Sequence, residues 1–330
     1  MSLYRLETER VIGEIRKRNA GVVGLQFPEG LKMRAVELAE QIESETGATA
    51  VISADPCFGA CDVSDRKMRD MVDLIVHYGH TPLPLDYEVP VIFIEAASSV
   101  EVGEVIREAA DRLSGHRRIG IATTAQHLHL LDQARSLLEE RGFEVVTGEG
   151  VNTARGQVLG CNFSAIRGTD ADAYLFLGSG NFHPLGIKLF TGREVVVADP
   201  YHGEVRDIEE FADRVLRVRF ARISRASDAS RWGVVVSSKA GQMRFELALM
   251  VKKKLEEAGR EALILLAENI SPAALLPFRE LEAFVVTACP RIAIDDSQLY
   301  DRPLLNPSEL EIVLGERSWD DYTLDEIIHG

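Results

Sequence analysis

The sequence predicts an α/β fold of three tandem related domains with parallel sheets in a pseudo-threefold arrangement. Three observations carry this expectation. Short β-branched runs alternate with stretches of helical periodicity, which is the signature of βαβ units. The alternation restarts twice, at intervals of about 100 residues. Each unit brings a cysteine to a loop that follows a strand or to a strand's end: Cys61, Cys161 and Cys289.

In the first unit, "GVVGLQ" (21–26) reads as a strand, "FPEG" as its loop, and "LKMRAVELAEQIESETG" as a helix closed by Gly47. "ATAVIS" (48–53) is the second strand. After the cysteine loop "SADPCFGACD" and a short helix come "VDLIVHYG" (72–79) and "VPVIFIEA" (89–96). The second unit repeats the order with "RRIGIATT" (117–124), the helix "AQHLHLLDQARSLLEERG", "FEVVTG" (143–148), "DAYLFLGSG" (172–180) and "EVVVADP" (194–200). The third runs through "RWGVVVSS" (231–238), the helix "MRFELALMVKKKLEEAG", "EALILLA" (261–267), a helix after "SPAAL", and "LEAFVVTACP" (281–290). Boundaries fall in the polar helix near 100–116 and in the charged segment 207–230, giving domains 1–105, 106–215 and 216–330.

The composition excludes several classes. A net charge of −15 repels polyanions at long range, so neither bulk nucleic acid nor an anionic membrane is expected as a direct partner. The first twenty residues lack the apolar run of a secretory signal, and "ALILLA" (262–267) is far too short to span a bilayer. The expected location is the cytoplasm. There, four cysteines in 330 residues stay reduced and lean towards metal binding or catalysis.

In parallel sheets, ligands sit beyond the carboxyl ends of the strands. A free cysteine is commonly a small buried hydrophobe. Three of them, one per unit and each beside small or polar loop residues, instead point to a shared metal site. The residue types admit two readings. Cys57 and Cys61, spaced as a half-site, could join Cys161 and Cys289 around a structural zinc. Alternatively, three thiolates could hold a four-iron cluster and leave one iron open for substrate.

The motifs "QFPEGL", "FGACD", "HYGHT", "TTAQHLH", "GQVLGC", "GSGNFHPLG", "ADP" and "TACPRIAIDD", in this order over nearly the whole chain, closely resemble the archaeal diphthamide synthase family. Its members are the 2-(3-amino-3-carboxypropyl)histidine synthases that begin diphthamide biosynthesis. The resemblance implies a homodimer whose three α/β domains surround a central [4Fe-4S] cluster. By motif it makes Cys61, Cys161 and Cys289 the ligands. It also implies radical cleavage of the Cγ–S bond of S-adenosylmethionine, with transfer of the aminocarboxypropyl group to a histidine of translation elongation factor 2. An electron donor is then required. The family does not use the contiguous three-cysteine run of ordinary radical S-adenosylmethionine enzymes, and this chain has none. Cys57 is an additional thiol that the pattern leaves without a role. A quinolinate-synthase-like enzyme, also three α/β units with one cluster cysteine each, fits the motifs less well. A non-catalytic zinc-stabilised α/β binding protein is the alternative from another class.

For the cofactor, the turns after "QFPEG", "TTAQ" and "SSKAGQ" offer backbone donors to a carboxylate. Gln26, Gln126 and Gln242 lie near these turns, and Lys239 adds positive charge. Gly178 and Ser179 allow close backbone approach, and His80 and His183 fall on the functional edge. These eight are the expected cofactor contacts. His127 could reach the pocket from its helix face, whereas His129 reads as surface. Asp295 and Asp296 are either an acid–base pair or a solvated cap, Glu29 complements a helix start, and Lys252–Lys254 form a solvated face. No catalytic acid or base is assigned.

Overall fold

A computed structural model describes residues 3–328. Its strands form three sheets. The first contains β1 (Val22–Gln26), β2 (Thr49–Ile52), β3 (Leu74–Tyr78) and β4 (Val91–Ile94). The second contains β5 (Arg118–Thr123), β6 (Glu144–Val146), β7 (Ala173–Leu177), β8 (Glu194–Asp199) and β9 (Glu204–Asp207). The third contains β10 (Arg231–Ser237), β11 (Glu261–Ala267), β12 (Ala283–Val286) and β13 (Leu304–Leu305).

The spatial orders are β2-β1-β3-β4, β6-β5-β7-β8-β9 and β11-β10-β12-β13. Each unit therefore places its second strand on one side of the first and its third on the other. All pairings are parallel except β8 with β9. The order in which strands are laid down reverses between the first and third strand of each unit, and a crevice forms there at the carboxyl edge. Central strands such as β3 (LIVHY) and β7 (AYLFL) are buried at every residue, because helices cover both faces.

The edge elements escape a hydrophobic-run reading. β9 (EVRD) is charged and antiparallel, and β13 is two residues long. The segment at 207–230 is mostly one helix, Glu209–Ala226, rather than an open linker. Its start packs Ala212 into the core of the second unit, and its end packs Ile223 and Ala226 into that of the third. Arg219 on this helix is fully buried and bonds Glu309 at 2.6 and 2.7 Å, and it also donates to the Ala293 and Leu304 carbonyls. The helix Gly103–Arg112 belongs to the second core through Val105, Ile106 and Ala109. Among the described residues no helix is long and apolar enough to cross a membrane.

Candidate metal centre

The loop after β2 carries Cys61 in a short 3-10 turn, Ala60–Asp62. A 3-10 turn of the third unit, Ala240–Gln242 after β10, lies against it. A Cβ on Gly241 would stand 2.5 Å from Cys61 Cα and 2.6 Å from Cys61 Cβ, so only glycine lets the two backbones approach this closely. Gln242 Nε2 donates to Cys61 Sγ at 3.3 Å. Lys239 Nζ bonds the Asp62 carboxylate at 2.8 Å, with side chains only 7% and 12% exposed, and rests 4.7 Å over the Phe58 ring. The third unit thus cradles the cysteine of the first.

Cys161 is held differently. Its carbonyl accepts from Ile327 N at 2.7 Å, so the C-terminal segment crosses back from the third unit and straps this loop. Arg244 anchors the strap: it donates to Glu326 O at 3.0 Å, to Thr287 O at 2.7 Å and to Ala288 O at 3.2 Å, next to Cys289, and pairs with Asp325. Gly160 closes the third approach, since a Cβ there would lie 2.8 Å from Arg291 Cδ, just after Cys289.

The three thiols feel one another. Burial is the first cause that raises each pKa. Cys61 is pushed up to about 12, with Cys289 adding to the effect, and Cys161 is raised further by both Cys61 and Cys289. Opposing cations favour the thiolates: Lys239 at Cys61, Arg244 at Cys161, and Arg291 with Arg244 at Cys289. A buried site with three thiols and three flanking cations suits a group that binds thiolates and carries net negative charge. One tetrahedral zinc would draw sulfurs to roughly 3.8 Å from one another. Cys61, Cys161 and Cys289 do not form a set of donor atoms within 4.8 Å of one another among the described residues. Their wider spacing suits a larger cluster.

A second grouping lies beside Cys61. Cys57 Sγ and one ring nitrogen each of His77 and His80 fall within 4.8 Å of one another. His77 Nε2 lies 2.9 Å from His80 Nδ1, and His77 Nδ1 lies 2.9 Å from Gln26 Oε1. Gln26 is 1% exposed, and its amide donates to Asp62 O at 2.7 Å and Ser64 Oγ at 2.9 Å. Burial lowers His77 well below the usual histidine range and His80 to about 4.

The remaining expected contacts are dispersed. Gln126 donates to Gly79 O at 2.6 Å and Glu95 O at 3.4 Å, pinning the second unit to the first. Gly178 is buried near His127, while Ser179 is exposed. His183 stacks on Phe176 with 5.8 Å between ring centroids, and burial lowers its pKa to about 3. His127 is 1% exposed and has no hydrogen-bond partner at either nitrogen, whereas His129 is exposed. Asp295 pairs with Arg291 at 2.6 Å, and Glu29 pairs with Lys32. Lys252, Lys253 and Lys254 all meet glutamates. Sequence reading missed Arg244, Arg291 and the strap at 325–327. Arg244 and the strap reach the thiols only through the fold, whereas Arg291 stands two residues after Cys289 in the chain, a local signal that could have found it.

Comparison with known proteins gives these features a family. Residues 27–323 match the family model described as "Putative diphthamide synthesis protein". The 2-(3-amino-3-carboxypropyl)histidine synthase of Pyrococcus horikoshii is 39% identical over 99% of this chain and 95% of its own. That of Methanocaldococcus jannaschii is 32% identical over 99% and 94%. The crystal structure of Dph2 from Pyrococcus horikoshii with a 4Fe-4S cluster superposes with a TM-score of 0.93 at 38% identity, covering 100% of this chain and 96% of that one. The chain therefore belongs to the diphthamide synthesis family, whose curated members are 2-(3-amino-3-carboxypropyl)histidine synthases, a class of transferases.

Proposed function

We propose that this chain transfers the 3-amino-3-carboxypropyl group of S-adenosylmethionine to a histidine of translation elongation factor 2, the first step of diphthamide biosynthesis. The observation that carries the reading is the meeting of Cys61, Cys161 and Cys289, one from each sheet, among Lys239, Arg244 and Arg291. These three cysteines would hold the [4Fe-4S] cluster. When bound and reduced, the cluster supplies an open iron and an electron for homolytic cleavage of the Cγ–S bond. Overall, the sulfonium and an imidazole C–H become 5′-methylthioadenosine, a C-alkylated histidine and a proton, so the reaction is redox-neutral.

The protein's own part is to fix the thiolates and shape the pocket. Gly241 and Gln242 set the position of Cys61, and the Arg244 strap sets Cys161. Of the expected cofactor contacts, Gln242 borders the proposed ligand Cys61 directly, and Lys239 stands next to it through its pair with Asp62. His80 and His183 edge the same crevices, with Gly178 and Ser179 further along the second sheet. Gln26 and Gln126 act through the residues they hold, because their amides are used within the protein. The proposal includes domains near 1–105, 106–215 and 216–330, a homodimer, a separate electron donor and a cytoplasmic setting.

The test is anaerobic reconstitution with iron and sulfide, then reduction with S-adenosylmethionine and elongation factor 2. The expected products are 5′-methylthioadenosine and an aminocarboxypropyl adduct on one histidine. Release of only 5′-deoxyadenosine, or modification of a nucleic acid base instead, would overturn the reading.

A further inference from the structure

The cluster reading leaves Cys57 unused, and the fold buries it against two histidines. Its Sγ has only a marginal contact, 4.0 Å from Gly59 O. A thiol packed as a mere apolar group needs no ring nitrogens around it. Here a nitrogen of His77 and one of His80 lie with Sγ inside a 4.8 Å set.

The tautomers follow from Gln26. Its Nε2 donates to Asp62 O and Ser64 Oγ, and its Oε1 accepts from Ser64 N at 3.1 Å. Oε1 is thus an acceptor, and His77 must donate from Nδ1. That leaves the Nε2 lone pair of neutral His77 facing His80 Nδ1. A ligating histidine is commonly fixed in this way, with its other ring nitrogen donating to a carbonyl oxygen.

We propose that Cys57 Sγ, His77 Nε2 and His80 Nδ1 form a second metal site, suited to one Zn2+, beside but separate from the three cluster cysteines. One thiolate and two imidazoles are preferred zinc donors. Tetrahedral zinc would set its two nitrogens roughly 3.3 Å apart. The present 2.9 Å is a hydrogen-bond distance, so binding the ion requires both rings to turn from facing each other to facing it. Three protein ligands leave a fourth position for water or an exchangeable ligand, the pattern of a non-structural zinc site. Cys57 and His77 are buried, while His80 is partly exposed and gives the ion an entry path.

The protons balance. Zinc displaces the Cys57 thiol proton to solvent. The hydrogen on His80 Nδ1, which bridges the two rings, moves to His80 Nε2, so both imidazoles stay neutral. No electron is transferred.

The inference goes beyond the transferase reading, and its test reads metal content rather than turnover. The full-length protein is reconstituted anaerobically with iron and sulfide, given zinc sulfate, desalted, and analysed for both metals. The expected result is about one zinc per chain beside four irons. Cys57→Ser and His80→Gln should each lower retained zinc by more than about tenfold and keep the irons. Iron retention there reports that the fold survives. Cys61→Ser should show the reverse, with iron lost and zinc kept. The proposal is overturned if the wild type takes up no zinc, if zinc persists in both Cys57→Ser and His80→Gln, or if zinc leaves with iron in Cys61→Ser. Loss of iron together with zinc in both Cys57→Ser and His80→Gln also overturns it, because the two sites would then be one.

Discussion

The two cysteines of "PCFGAC" stand four residues apart and have opposite surroundings. Cys61 faces other units: Gly241 and Gln242 of the third, with Cys289 near enough to raise its pKa and Cys161 raised in turn by both. Cys57 faces its own unit, against His77 at the end of β3 and His80 just beyond. The first environment is wide, cationic and assembled from three sheets. The second is compact, neutral and made by one. The difference is one of reach. A single sheet's crevice brings three donors to one place here, whereas the three cysteines read as cluster ligands come one from each unit.

The largest effect that can break this comparison is on iron. Cys61→Ala, Cys161→Ala and Cys289→Ala should each abolish stable cluster binding, seen as loss of the visible absorption near 400 nm and of bound iron. Cys57→Ala should keep the iron. If Cys57→Ala strips the iron and Cys61→Ala retains it, the assignment of the two environments is reversed.

Next in size are the contacts that carry Cys61 to the third unit. Gly241→Ala drives a methyl to 2.5 Å from a backbone atom, which the chain must relieve by parting the two turns. Overpacking of this kind costs about 1–3 kcal/mol. Lys239→Met leaves Asp62 charged and nearly buried, a loss of about 3–5 kcal/mol when one partner of a buried pair is removed. Chemical denaturation should show both losses. Lys239→Met with Asp62→Leu should regain much of the second, since replacing both partners with apolar groups is often close to neutral. If Lys239→Met matches wild type, the pair does not hold the units together.

Much of this was legible in the sequence, for definable reasons. β1, β3, β5, β7 and β10 are apolar runs because both sheet faces are covered, and that pattern needs no partner information. The cysteines stand out because they are few and follow strands. The strap at 325–327 and the cation at 244 were not legible. Arg244 meets Asp325 81 residues on, and Ile327 meets Cys161 across 166 residues of chain. The Cys57–His77–His80 set fell between these cases. His80 stands out as a loop histidine, whereas His77 lies inside the run "VDLIVHYG" read as a strand and is not singled out.

A buried histidine outside both groupings calibrates the electrostatics. His127 is 1% exposed, and burial lowers its pKa to about 4 from an ordinary 6.5. The depressed folded value means that the neutral ring is stabilised. Its contribution is fully present above pH 6.5 and is lost as pH falls towards 4. At pH 4.5 this is a loss of about 2–3 kcal/mol from this group. His127→Phe should keep the packing against Tyr201 and flatten that part of the pH–stability curve. An unchanged slope between pH 6.5 and 4.5 would show that His127 protonates without cost.

The smallest effect concerns tuning rather than assembly. Gln242 donates to a cluster cysteine, at 3.3 Å to Cys61 Sγ, a reasonable distance for a weak sulfur acceptor. A donor to a thiolate stabilises electron-rich sulfur, and so favours the reduced cluster over the oxidised one. Gln242→Leu keeps the volume and removes the donor. Iron content should be unchanged, because the ligand remains and Gly241 still sets the backbone. The midpoint potential should fall. A differential of about 1 kcal/mol corresponds to roughly 40 mV for one electron. Gln242→Glu should lower it further, since a carboxylate beside the thiolate opposes the added electron. Redox titration of the reconstituted protein followed by electron paramagnetic resonance reads both shifts. A potential that rises in Gln242→Leu would mean that the amide does not act on the thiolate as a donor.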